Sequence, residues 1–263
     1  MRRANHAWSI VMALVVAVSA GAQSGNSLAE VIAQGERVRN ADTRVRVDAL
    51  HRVWAAALAS PEPAVKTAAL DVLKEPAGSA SDHIRMPAVY AIAEIANSTD
   101  DPQVKTRALE ALAEPLQASQ VPIRNVAIDA VNSITRGAKS AVSLQAIRAL
   151  SGPVRSGNNG VRIPAINAIV LAVQGSTNAA AYQAALDALV PALESDAAIG
   201  GMEVRMMAIG AVERVGRGAP EVSTKAKAMG LLQAYAGRAG WEPEAKARAL
   251  DAASKIEASI TRR

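Results

Sequence analysis

Apolar residues recur along the chain in a nine-residue pattern that appears eleven times. Each copy starts at an anchor residue, has Ala at position +4 and has apolar residues at positions +5 and +8. The anchors are Val45, Val65, Ile84, Val104, Ile123, Val142, Val161, Ala181, Val204, Thr224 and Ala245, with a mean spacing of 20 residues. These positions share one face of a helix with 3.6 residues per turn, so the pattern predicts eleven amphipathic helices separated by polar turns.

The copies alternate between two kinds. In the Arg-type copies Arg follows a β-branched anchor, as at Ile84 and Ile123, whereas Val65 and Val104 begin Lys-type copies with Lys after the anchor. Four prolines, which end helices, follow the apolar part of Lys-type copies: Pro76, Pro115, Pro153 and Pro191. Copies of one kind lie 38 or 39 residues apart until the spacing rises to 43 across the loop 195–201. The repeating unit is therefore a helix pair of about 39 residues with one small insertion.

The helix-pair length resembles that of HEAT repeats, as does the string Asp100-Asp101-Pro102-Gln103-Val104-Lys105-x-x-Ala108-Leu109-x-x-Leu112. It is most similar to the bacterial HEAT-like repeats also found in phycobilisome bilin lyases. Pro87 and Pro164 resemble the proline of the first HEAT helix, and the Lys-type copies resemble the second, inner helix. The resemblance covers about Asp42 to Ile260 and implies an all-α, right-handed α-solenoid of five to six helix pairs, about twelve helices, with terminal cap helices. It carries over no catalytic residue, because it lies in structural positions.

The first 22 residues have the layout of a secretory signal peptide. Arg2 and Arg3 precede an apolar core over residues 9–18, and Ala20-Gly21-Ala22 is a small-x-small cleavage site. The apolar part is shorter than the ~20 residues that a membrane span needs. We therefore expect cleavage after Ala22, a secreted or periplasmic protein with no stable membrane insertion, and a single solenoid domain over residues 23–263.

Composition removes several classes of function. The chain has no Cys and no Phe, and only 2% of its residues are aromatic, which argues against disulfide frameworks, Cys-based metal sites and aromatic platforms for nucleic acid. Loss of Arg2 and Arg3 with the signal segment lowers the net charge from +5 to +3. So small and scattered an excess does not indicate a nucleic-acid partner.

Arg or Lys follows the anchor in nine of the eleven copies, and we name these residues the cation column: Arg46, Lys66, Arg85, Lys105, Arg124, Arg162, Arg205, Lys225 and Lys246. This position lies inside the apolar arc of the helix, where a cation must be paired or must reach out to water. Acids lie in or beside many of the preceding turns, and several could cap the helix as well as pair with the cation: Asp42, Glu62, Asp82, Asp101, Glu203, Glu221 and Glu244. The regular spacing favours a structural ladder over a binding site.

No catalytic, cofactor or metal site is predicted. Two His remain after cleavage, His51 and His83, and Asp48 is placed to share a helix face with His51. Such a pair is more often a surface contact than a metal site or an acid–base pair. None of the common nucleophile, phosphate-loop or metalloprotease strings occurs.

Position +6 points directly away from the core, and on the Lys-type helices it forms what we call the charged row: Asp71, Glu110, Arg148 and Asp187, with Gly230 next in register. Lys74, Arg107 and Lys227 flank it. Mixed signs suit a protein or peptide on the concave face better than a nucleic acid. We therefore expect a non-enzymatic protein-interaction scaffold. The alternative is an accessory factor or subunit of an enzyme, lyase-like by analogy with the repeat-sharing bilin lyases.

Overall fold

The computed structural model describes residues 27–40, 42–136, 140–195 and 201–261. Within these ranges the chain forms twelve α-helices, one short 3-10 turn and no strand, so the all-α prediction is confirmed. None of these helices has the length and apolar character needed to span a membrane. The predicted signal segment 1–22 and its cleavage after Ala22 lie outside the described residues.

The helices form two compact units, of which the first ends at Ala111. It contains α1 (Ser27–Arg37), α2 (Thr43–Ala59), α3 (Pro63–Ala77), α4 (Asp82–Asn97) and α5 (Pro102–Ala111). Each helix packs against the next helix and against the one after that. This two-layer, nearest-neighbour packing is that of an α-solenoid.

The second unit starts at Leu112. A 3-10 turn (Pro115–Gln117) precedes α6 (Val121–Thr135), α7 (Ser140–Val154), α8 (Asn159–Val173), α9 (Ala179–Leu193), α10 (Gly201–Gly218), α11 (Val222–Ala236) and α12 (Pro243–Thr261). Its helices follow the same packing rule. Arg-type copies form the even-numbered helices α2 to α10, and α12 takes the same place in the alternation although Lys246 follows its anchor. The odd-numbered helices α3 to α11 occupy the Lys-type places and are called Lys-type helices, although Ser143 and Tyr182 follow the anchors of α7 and α9. The single domain expected for residues 23–263 stays a prediction.

The prolines of the Lys-type helices lie inside the last turn rather than beyond it. Pro76, Pro153 and Pro191 belong to α3, α7 and α9, which end one or two residues later. A proline so close to the end removes one hydrogen bond but leaves the earlier turns intact. The helices therefore stop just after the proline, whereas α5 stops before Pro115.

The Ala column is completely buried. All eleven members have no exposed surface: Ala49, Ala69, Ala88, Ala108, Ala127, Ala146, Ala165, Ala185, Ala208, Ala228 and Ala249. The +5 residues are buried in the first nine copies, but Met229 is half-buried and Leu250 is 53% exposed. No described helix follows α12 to cover them. The predicted phase of the helices is thus confirmed, and small side chains let neighbouring helices approach closely.

The cation column lies in the apolar arc, as its angle on the helix predicts. Five members are buried: Lys66, Arg85, Lys105, Arg205 and Lys225. The acids of the preceding turns were expected to pair with these cations or to cap the helices, and the structure shows examples of both. Among the described residues, Lys105 has such a pair, with its Nζ 3.6 Å from Asp100 Oδ1. Asp42 and Asp101 instead accept hydrogen bonds from backbone N–H groups at the starts of α2 and α5.

Helix C-terminal carbonyls and later serines take the place of those acids. Lys66 Nζ donates to the carbonyl of Ala57 in α2 (3.1 Å) and to Ser98 Oγ (2.7 Å). Similar bonds join Arg124 to Ser156, Arg162 to Val154 and Ser195, and Lys225 to Ser259. The last carbonyls of a helix lack partners within it and carry partial negative charge. A cation placed there can therefore be satisfied without a carboxylate, although Arg46 and Arg205 also pair with the more distant acids Glu75 (3.1 Å) and Glu242 (2.5 Å). The column thereby joins successive repeats.

Candidate functional site

The charged row lies on the surface. The side chains of Asp71 and Glu110, on α3 and α5 of the first unit, are 46% and 40% exposed. Arg148 on α7 is also exposed, and the Asp187 side chain on α9 is 65% exposed. The outward phase of position +6 is thereby confirmed, while the role of these residues in binding stays a prediction.

In the first unit one guanidinium joins both acids of the row. Arg107 of α5 donates from Nε to Asp71 Oδ1 and from NH1 to Glu110 Oε2, the latter at 2.6 Å. The hydrogen bonds that Arg107 donates, first to Asp71 and then to Glu110, raise the pKa of Arg107 above its ordinary value. These three side chains therefore carry a net charge of −1, held in a fixed arrangement across two successive Lys-type helices.

In the second unit the row has the opposite balance. Lys227 Nζ of α11 lies 2.7 Å from Asp187 Oδ1. Arg148 makes no ion pair with any residue of the described ranges. Arg148, Asp187 and Lys227 together leave a net charge of +1. Exposed ion pairs contribute only about 0–1 kcal/mol each, so an incoming charged group can replace them at low cost.

Sequence reasoning identified the row but missed its internal pairing. Arg107 and Lys227 occupy position +3 of their helices, and their partners occupy position +6 of the preceding Lys-type helix. The sequence signal that could have revealed these ion pairs is therefore an acid at position +6 of one Lys-type helix and a cation at position +3 of the next. Whether such residues meet depends on the offset between the two helices, which the repeat spacing does not contain.

His51, which the sequence offers as a possible metal ligand or acid–base group, takes part in side-chain packing. His51 packs against Trp54 with ring centroids 6.2 Å apart. Burial lowers the pKa of His51, and the smaller effect of Asp48 opposes that shift. Asp48 itself pairs with Arg52 at 3.0 Å. Within the described ranges no three potential metal-ligating side chains come together.

The second unit contains an aromatic stack that the sequence did not predict. Arg205 lies over the Trp241 ring at 4.8 Å, Trp241 stacks on Tyr235 at 5.6 Å, and Arg238 covers Tyr235 at 4.0 Å. The Tyr235 hydroxyl donates to Glu194 at 2.7 Å, and burial is the main cause that raises its pKa to about 12. Cation–π and ring contacts of this kind stabilise the packing of α9, α10 and α11.

Comparison with known proteins identifies the fold. No family model matches the sequence. No curated protein matches it either. The structure is similar to an archaeal HEAT-like repeats protein from Thermococcus onnurineus NA1, with a TM-score of 0.50 and 13% identity over 88% of each chain. An engineered protein of the Northeast Structural Genomics Consortium has a TM-score of 0.51 and 20% identity over 87% of this chain and 98% of its own.

Yeast importin-β (Kap95p) has a TM-score of 0.56 and 17% identity over 88% of this chain. The match covers only 30% of the importin chain. These likenesses place the fold among HEAT-like repeat solenoids. The finer resemblance to the repeats of bilin lyases stays a prediction.

Proposed function

We propose that this protein is an exported, non-enzymatic scaffold that binds a protein or peptide along its charged row. The proposal rests on the exposure, the spacing and the ion pairs of the row residues within each unit. Its charges are exposed, regularly spaced on the Lys-type helices and already ordered by Arg107 and Lys227. A surface whose side chains are ordered before binding loses less conformational entropy when a partner arrives.

The charge balance supports a protein or peptide partner rather than a nucleic acid. Counted with the cations that pair with it, Arg107 and Lys227, the row carries −1 in the first unit and +1 in the second, and a polyanion would meet repulsion in one of them. A partner with charges of both signs would instead be guided into one orientation. Kap95p, a solenoid of similar fold, binds RanGDP, and this analogy supports a protein partner at the level of the fold alone.

Export is proposed from the sequence of the first 22 residues. A basic start, a short apolar core and the small-x-small site ending at Ala22 are the parts of a signal peptide. The partner is therefore sought in the periplasm or in the secreted fraction.

The test compares charge reversals on the row with matched reversals elsewhere. Arg148→Glu reverses a charge that makes no ion pair in the described ranges, and Asp187→Lys reverses one that pairs with Lys227. The control is Asp251→Lys on α12, because Asp251 is also exposed at position +6 and also has cationic partners, Arg248 and Lys255. Circular dichroism establishes that every variant is folded.

Wild type and variants are used to recover partners from the native envelope and secreted fractions. We expect both row variants to lose a partner that the wild type and the Asp251→Lys control retain. The remaining binding should associate more slowly and show an altered salt dependence. Equal recovery by the row variants and the control would move the binding site off the charged row.

A further inference from the structure

A cavity of about 580 Å³ opens in the second unit between the C-terminal ends of α8 and α10. The start of α9 contributes Tyr182 to its wall, and the end of α12 contributes Ser259. Pockets that hold small organic molecules have volumes of roughly 300–1,000 Å³. The cavity therefore has the size of a ligand site, and its lining residues are distinct from the charged row.

One side of the cavity is apolar. Val170, Leu171 and Val173 of α8 line it. Val173 is buried, but Leu171 is 50% exposed although it is a large aliphatic residue. An apolar group of a ligand that packed here would remove this surface from water, which is favourable in proportion to the area covered.

The opposite side carries two arginines one turn apart on α10. Arg214 makes only long hydrogen bonds, both at 3.4 Å, to the Gly210 carbonyl and to Asn167 Oδ1. It forms no ion pair with any residue in the part of the chain that the structure describes. Its guanidinium therefore keeps donors for an anion.

The neighbouring arginine is already partly neutralised. Arg217 NH1 lies 3.3 Å from Glu213 Oε1, and Glu213 accepts a shorter bond of 2.7 Å from Arg248. Arg248 also pairs with Asp251, which in turn pairs with Lys255. Among the described residues, Arg214 is thus the cation of this cluster without a carboxylate partner, and its planar guanidinium suits the planar geometry of a carboxylate.

The hydroxyl of a largely buried tyrosine completes the site. Tyr182 is only 3% exposed, yet its hydroxyl makes no hydrogen bond with the described residues. Gly218 leaves space beside it, since a Cβ at that position would lie 3.6 Å from the hydroxyl oxygen. Burial raises the pKa of Tyr182, so the hydroxyl stays protonated at neutral pH and remains a donor.

We propose that this cavity binds a small organic monocarboxylate with an apolar body. The carboxylate accepts hydrogen bonds from Arg214 and the Tyr182 hydroxyl at the mouth, with Arg217 beside it. The apolar body packs on Leu171 and its neighbours. Guanidinium groups match the planar geometry of a carboxylate, and charge-assisted hydrogen bonds are about twice as strong as neutral ones. This site goes beyond the proposed scaffold role and does not depend on it.

Calorimetric titration of the full-length chain tests the proposal with octanoate as the probe and octanol as its neutral counterpart. We expect saturable binding of octanoate, binding of octanol at least tenfold weaker, and a similar loss for octanoate with Arg214→Gln. Tyr182→Phe should weaken octanoate binding by a smaller factor. The matched control is Arg155→Gln, which should leave the affinity unchanged. Arg155 is an exposed arginine of the second unit that makes no ion pair with the described residues, and it belongs neither to the cavity lining nor to the charged row.

A second probe, N-acetyl-leucyl-leucine, distinguishes two sources of the carboxylate, a peptide C-terminus and a free aliphatic acid. The amide of this dipeptide is the control without a carboxylate. Tighter binding of the free dipeptide than of octanoate identifies a peptide C-terminus, and the reverse identifies a free aliphatic acid. The proposal is overturned if octanoate does not bind, if octanol binds equally well, or if Arg214→Gln and Arg155→Gln have equal effects.

Discussion

A close approach between helices in the second unit makes a specific prediction for Gly216. This residue lies buried inside α10, where Ala would ordinarily be preferred to Gly by about 0.8–1.0 kcal/mol. A Cβ at Gly216 would, however, lie 2.7 Å from Cβ of Ala228 and 2.8 Å from Cδ1 of Ile256. Carbon atoms in contact normally lie about 3.5–4.0 Å apart.

The added Cβ would thus lie about 1 Å too close to its neighbours, and the backbone has to move to relieve the overlap. The Ala228 Cβ is bonded directly to the main chain of α11 and has no torsion that could move it, whereas the end of Ile256 can rotate away. Overpacking of this kind costs about 1–3 kcal/mol. This cost exceeds the gain in helix propensity, so Gly216→Ala should reduce the free energy of unfolding by about 1 kcal/mol.

Gly230→Ala is the matched control. Gly230 lies inside α11, is exposed, and has no atom within 4 Å of the position that a Cβ would take. This variant should gain about 0.5–1 kcal/mol. Urea unfolding of both variants should therefore differ by roughly 2 kcal/mol, and adding Ala228→Gly should restore part of the loss in Gly216→Ala. If Gly216→Ala stabilises the protein as much as Gly230→Ala does, the described contact between α10 and α11 is wrong.

Three further predictions concern the signal segment, the Ala column and the cation column. Intact-mass measurement of the exported protein should show loss of residues 1–22, and a membrane-bound chain with an intact N-terminus would contradict this. Ala108→Phe should lower thermal stability by ~1–3 kcal/mol or more through overpacking, while Thr106→Ala should stay within about ±0.5 kcal/mol; a neutral Ala108→Phe would show that the helical phase is wrong. Burial lowers the pKa of Lys66 below its ordinary 10.5, so the unfolded chain binds this proton more tightly than the folded chain. The free energy of unfolding should therefore rise as pH increases toward 10.5. Urea unfolding at pH 8 and pH 10 should show a larger rise in the wild type than in Lys66→Met, and equal rises would mean that Lys66 is solvated.

Much of the helical framework follows from residue order alone. The Ala at position +4 and the apolar residues at +5 and +8 recur with the helical period, so their burial could be predicted copy by copy, as at Ala108 and Leu109. Proline and acidic residues in the turns marked the helix starts, as Asp101 and Pro102 do for α5. These features depend on residues that lie within about one helix of each other in the chain. A periodic sequence therefore predicts them directly.

The partners of the charged residues were decided by the tertiary structure. Lys66 meets Ser98, which is 32 residues away, and Arg214 meets Asn167, which is 47 residues away. The same is true of Arg107 with Asp71 and of Gly216 with Ala228. Which side chains meet depends on the offset and separation of packed helices, and these are set by the summed shapes of many small side chains. Residue spacing determines which face of each helix is buried, but only the packed helices determine which charges lie opposite each other and where a cavity opens.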